Sequence, residues 1–69
     1  MFVIIRTIIN GKDKDTDTIG AYDDVTVSIN HVVSLINDIA LKDMDGKKYA
    51  FYIVEPITET VIRRFFIEP

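Results

Sequence analysis

Phe2-Val3-Ile4-Ile5-Arg6-Thr7-Ile8-Ile9, followed at once by Asn10-Gly11, is the stretch on which the fold turns. Its β-branched and aromatic residues suit a pleated, half-buried surface, so it reads as a strand. Side chains alternate between the two faces of a strand. Phe2, Ile4 and Ile8 therefore oppose Val3, Ile5 and Ile9, and both faces are apolar. Asn10-Gly11 suits the positive φ angles of a type I′ turn, which predicts a hairpin. The chain returning from it, Lys12 to Thr18, alternates charged and hydroxyl side chains. It reads as a polar edge strand, because charge on an edge discourages further strand addition. A solvated loop is the rival reading.

The same two-faced pattern recurs near the C-terminus. Lys48 to Glu55 is a strand in which Tyr49, Phe51 and Ile53 oppose Ala50, Tyr52 and Val54. Residues 59–68 form another, with Val61, Phe65 and Ile67 opposing Ile62 and Phe66. Glu55-Pro56-Ile57-Thr58 links the two as a turn, since proline cannot donate to a ladder. A link this short makes them an antiparallel hairpin.

Between the two hairpins, Ile29, Val32, Val33, Ile36, Ile39 and Ala40 recur at helical spacing. They predict an amphipathic helix over about 28–42, reached by a connector at 20–27. Ser28 is the expected N-cap, with Asp24 and Thr26 as alternatives. Asp45-Gly46 marks the exit turn. The expected architecture is α+β: a small antiparallel sheet of three to four strands with one helix, in the order β-β-α-β-β. Residues 1–69 are expected to form a single compact domain.

One helix covers one face of a sheet. Strands apolar on both faces imply cover on both sides, and monomeric soluble proteins rarely expose an apolar patch of several hundred Å². The sequence therefore predicts dimerisation through the sheet, as a two-fold homodimer or a higher assembly. Size points the same way. A chain of 69 residues buries only about 60% of its unfolded surface, and small domains lean on disulfides, metals or partners. There is no cysteine and only one histidine, which excludes disulfides and thiolate sites. Oligomerisation is left.

The net charge of −3 argues against direct binding to nucleic acid or anionic membranes. Arg6 interrupts the N-terminal apolar run, so no secretory signal is read there. No apolar run approaches the ~20 residues of a membrane span. A cytoplasmic protein with nothing to be processed is expected. Isoleucine is abundant while Leu35 and Leu41 are the only leucines, a bias that fits an AT-rich coding sequence.

Motifs with chemical content are sparse. Asp13-x-Asp15-x-Asp17 with Asp24 has the early spacing of a calcium loop. Thr18 stands where that loop needs glycine, and no helix precedes the run, so a solvated turn is the favoured reading. Asp43-x-Asp45-Gly46 is a weaker echo. There is no glycine-rich phosphate loop and no nucleophile elbow. Neither enzymatic activity, a cofactor nor a metal is expected. Arg6, Arg63 and Arg64 each lie within an apolar strand. Arginine there usually pairs with a carboxylate or runs along the sheet to water. The functional alternative is an anion site at a subunit interface, with Tyr49 or Tyr52 stacking on a ligand and Lys47 and Lys48 adding charge. Asp13, Asp15 and Asp17, with His31 and Asp38 on the polar helix face, are the candidate partner contacts. The expected function is a non-enzymatic dimeric inhibitor or adaptor of phage or mobile-element type that binds a host protein. The alternative is a binder of a nucleotide or other phosphorylated ligand through the strand arginines.

Overall fold

The computed structural model describes residues 1–42 and 44–68. It has the expected order: β1 (Phe2–Asn10), β2 (Asp13–Tyr22), α1 (Val25–Ala40), β3 (Lys48–Glu55) and β4 (Thr60–Ile67). The strands form one antiparallel sheet in the order β2-β1-β3-β4. The two hairpins lie side by side, and their inner strands, β1 and β3, are the most apolar.

The first hairpin is a true two-stranded ladder, so Asp13 to Thr18 is strand and not loop, while Lys12 belongs to the turn. Its turn differs from expectation. Asn10 pairs with Asp13, leaving Gly11 and Lys12 as the central residues. Gly11 has φ 64° while Lys12 is not in the positive region. Glycine alone at the first central position is the pattern of a type II′ turn, not type I′. β2 also runs past its predicted end to Tyr22. A register shift between Ile4 and Ile5 leaves Ile19 without a direct partner, a bulge that re-aims the last residues of β2. Ile19 and Tyr22 thereby reach the core cluster.

The helix begins earlier than its apolar spacing suggests. Asp24, not Ser28, is the N-cap, its Oδ1 accepting from the amides of Thr26 at 2.7 Å and Val27 at 3.2 Å. Ser28 is fully buried in the first turn, its hydroxyl donating to the Asp24 carbonyl at 3.1 Å. Asp24→Ala is expected to lower stability by about 0.5–2 kcal/mol, and Asp24→Asn by much less. Urea denaturation of both variants checks this.

Ile4, Val32, Phe51 and Ile53 form the fully buried core, bordered by Phe2, Ile29, Leu35, Ile36, Ile39 and Phe65. Leu35 therefore faces inward, whereas Val33, expected on the apolar stripe, is 41% exposed. The helix lies across β1, β2 and β3. The molecule measures 34 × 24 × 14 Å, and its short dimension holds one sheet and one helix. At the other end of the sheet, the Glu55 carboxylate accepts from the amides of Ile57 and Thr58 and from the Thr58 hydroxyl. The Thr58 hydroxyl bond is the chief cause that holds this carboxyl below its ordinary range. It closes a turn in which Glu59 adopts φ 54°.

Candidate functional surfaces

Strand pairing assigns each paired sheet residue to a face. On the helix side, Asp15, Ile8, Tyr49 and Ile67 form one cross-strand row, and Asp17, Arg6, Phe51 and Phe65 the next. On the other side the rows are Lys14, Ile9 and Lys48; then Thr16, Thr7, Ala50 and Phe66; then Thr18, Ile5, Tyr52 and Arg64; then Ala21, Val3, Val54 and Val61. Glu68 extends the first of these, 3.8 Å from Lys48. Among the described residues no element crosses this second side, which we call the open face.

The open face is apolar at its centre and carries charge at one end and along β4. Phe66 stands 66% exposed, edge-on to Tyr52 with ring centroids 6.1 Å apart. Beside it the small side chains of Thr7 and Ala50 leave a hollow of about 110 Å³, walled by Ile9, Tyr52 and Phe66. Thr7 is buried despite lacking a covering layer. Its hydroxyl is satisfied by Thr16 at 3.0 Å.

On the helix side, a cavity of about 330 Å³ opens between the C-terminal half of α1 and the sheet. Its floor is apolar, from Ile8, Leu35, Ile39 and Phe51, and Arg6, Asp38, Lys42 and Tyr49 bring polar atoms to it. Arg6 is held by Asp17, Nε to Oδ1 at 3.2 Å and Nη2 to Oδ2 at 2.7 Å. This bidentate pair fixes the guanidinium plane.

The residues singled out as ligand contacts are thus divided. Arg6 and Tyr49 meet at the helix-side cavity. Tyr52 and Arg64 are neighbours on the open face. Arg63 projects beside Ile53 on the helix side of β4. Arg63 and Arg64 are both exposed, because β4 is an edge strand from which both can reach water. A single arginine cluster within one chain is not formed.

The partner-contact residues divide as well. Asp15 flanks the Ile8 row and Asp38 lines the adjoining cavity, so the two approach the same end of the molecule. Asp17 is engaged by Arg6. His31 is half-buried and packs on the sheet instead of facing solvent. Its Nδ1 lies 3.0 Å from the Tyr22 hydroxyl, with the rings edge-on. Gly20 leaves room beneath it, where an added Cβ would sit 3.5 Å from the imidazole. Asp13, Asp15 and Asp17 project from alternate positions of an extended strand, each about 6.8 Å from the next. Asp24 is occupied as a helix cap. The four carboxylates therefore do not converge as calcium ligands must. Asp43 lies outside the described residues.

Lys42 and Met44 border the cavity but were not among the residues picked out from sequence. Lys42 lies two residues beyond the end of α1, and its four-residue spacing from Asp38 is the one signal in the sequence that sets the two side by side. No helix among the described residues is long and apolar enough to cross a membrane. Comparison with known protein families, curated proteins and solved structures finds no match to this chain.

Proposed function

We propose that this chain is a small non-enzymatic interaction protein, of the dimeric inhibitor or adaptor kind that phages and mobile elements direct at a host protein. The observation that carries the reading is the open face. Val3, Ile5, Ile9, Tyr52, Val54 and Phe66 share one side of a sheet that no element among the described residues covers; Phe66 is exposed and the others half-buried. Apolar surface on this scale marks a contact surface. The opposite side offers a different chemistry. Asp13 and Asp15 on β2 and Asp38 on α1 are exposed, on a chain of net charge −3, and suit a basic partner surface. Capture from a bacterial lysate tests this, using the tagged chain beside a variant carrying Asp13→Asn, Asp15→Asn and Asp38→Asn. The expected result is a stoichiometric protein held by the first, released by salt and absent from the second. No stoichiometric protein, or one held equally by both, overturns the reading.

The helix-side cavity favours a second reading, a small phosphorylated ligand. At about 330 Å³ it lies at the lower end of ligand-site volumes. Arg6 and Lys42 supply cationic groups, and Tyr49 and Phe51 an aromatic wall. Thermal-shift measurements against a nucleotide panel decide it. A ligand at 100 times its Kd adds ~2.7 kcal/mol, and a flat response across the panel removes this reading.

A further inference from the structure

We infer that the open face is covered by a second copy of this chain, with the two-fold axis running parallel to the strands. This rests on the reading of the open face as a contact surface and adds the occupant and its register. Two sheets stack face to face about 10 Å apart with strand directions within about 30°. A two-fold axis in the plane between them can lie along the strands or across them. Along the strands, each cross-strand row meets the same row of the partner in reversed strand order. β2 then lies over the partner's β4, and β1 over its β3.

This register matches the face to itself. Lys14 meets the partner's Glu68, and symmetry repeats the contact. Phe66, the most prominent side chain of the face, meets the partner's Thr16 beside the hollow over Thr7 and Ala50. Ile5 meets the partner's Tyr52, and Val3 the partner's Val54. Lys48 and Glu68 lie at the end of the sheet, where their heads reach water. An axis across the strands instead places Lys14 over the partner's Ala21 and Glu68 over the partner's Val61, so neither gains an opposite charge; Lys48 faces an apolar side chain either way, the partner's Ile9 along the strands or the partner's Val54 across them. Charge complementarity selects the first arrangement. The flat sheet offers on the order of 500 Å² per copy. The pair therefore falls at the small end of specific interfaces.

The test uses charge reversal, because Lys14 and Glu68 sit on opposite edge strands of one chain. Three strand spacings, about 14 Å, keep them from compensating each other within a monomer. Light scattering over a concentration series is run on the purified untagged chain, K14E, E68K and the double variant. Circular dichroism confirms that each is folded. Each single reversal is expected to raise the dimer dissociation constant about tenfold, since two symmetric contacts turn repulsive. The double variant is expected to return to within about twofold of the parent. F66K, at an exposed position, is expected to be folded and monomeric.

A dimer indifferent to both reversals, or a double variant weaker than either single one, overturns the register. A parent that stays monomeric at about 100 µM overturns the second copy as occupant. So does a monomer that binds a labelled oligo-dT through Tyr52 and Phe66, which assigns the face to base stacking. The measurement involves no foreign partner, so its failure is separable from failure of the lysate capture, which concerns the acidic side.

Discussion

Phe51→Ala is expected to leave this protein largely unfolded at about 37 °C. Phe51 is fully buried at the crossing of β3 and α1 and is flanked in the sheet by Arg6 and Phe65. Truncating a buried phenylalanine costs about 3–5 kcal/mol, through lost transfer energy and the cavity left behind. At 0.05–0.15 kcal/mol per residue, a chain of this length has roughly 3–10 kcal/mol in all. The substitution removes a large share of that, or the whole of it. Phe51→Leu keeps most of the volume and stays folded. Urea denaturation at fixed protein concentration makes the comparison, because a self-associating chain gains apparent stability with concentration. A loss under about 1.5 kcal/mol for Phe51→Ala contradicts the packing described for the core.

Val32→Asp is expected to be as damaging, while Val33→Asp, one residue on, is nearly silent. Val32 has no exposed surface and belongs to the core cluster. A carboxylate there is desolvated without a partner, at a cost of several kcal/mol, or takes up a proton and remains an unsatisfied polar group. Val33 is 41% exposed, and surface changes generally stay within about 0.5 kcal/mol. The two variants carry the same chemical change in the same helix. Their difference in denaturation midpoint therefore reports how α1 is rotated on the sheet. Equal losses at both positions contradict the rotation described.

That rotation was the part of the fold hardest to read from sequence. The two-faced strands and the places of both turns are legible, because apolar alternation and turn chemistry are local, although the first turn is type II′ and not the expected type I′. The helix is legible as a helix, but its apolar spacing puts Val33 and Ala40, both exposed, on the inner face and leaves Leu35 off it. The true inner face runs through Val25, Ser28, Ile29, Val32, Leu35, Ile36 and Ile39. Ser28 is polar and His31 titratable, so both read as outward-facing, and the apparent centre of the stripe moved. Tertiary contacts explain them: Ser28 is small and hydrogen-bonded to the turn before it, and His31 is matched by Tyr22 over Gly20. The bulge at Ile19 had no local signature, and without it Tyr22 could not be placed near the helix. The candidate surfaces follow the same division. That one face would lack cover could be counted from one helix and two-faced strands. Which arginine joins which tyrosine depended on strand order, which a single sequence does not specify.

The two edges of the sheet are unlike, and this limits what the chain can build by mistake. β2 is an edge strand that carries Asp13, Lys14 and Asp15, exposed on its two faces, and is bent by its bulge. Such an edge refuses a new strand. β4 carries Arg63 and Arg64 at its centre but ends in Phe65-Phe66-Ile67, and its outer backbone groups pair with no strand among the described residues. A fibril grows only from units receptive on both sides, since each arrival must leave a site for the next. Here each unit has one receptive side. Two β4 edges that meet consume each other, and the growing ribbon is capped on both flanks by aspartate-studded strands. Lateral misassembly through these edges is therefore expected to stop at a pair, the unequal edges acting as a chain terminator against polymerisation.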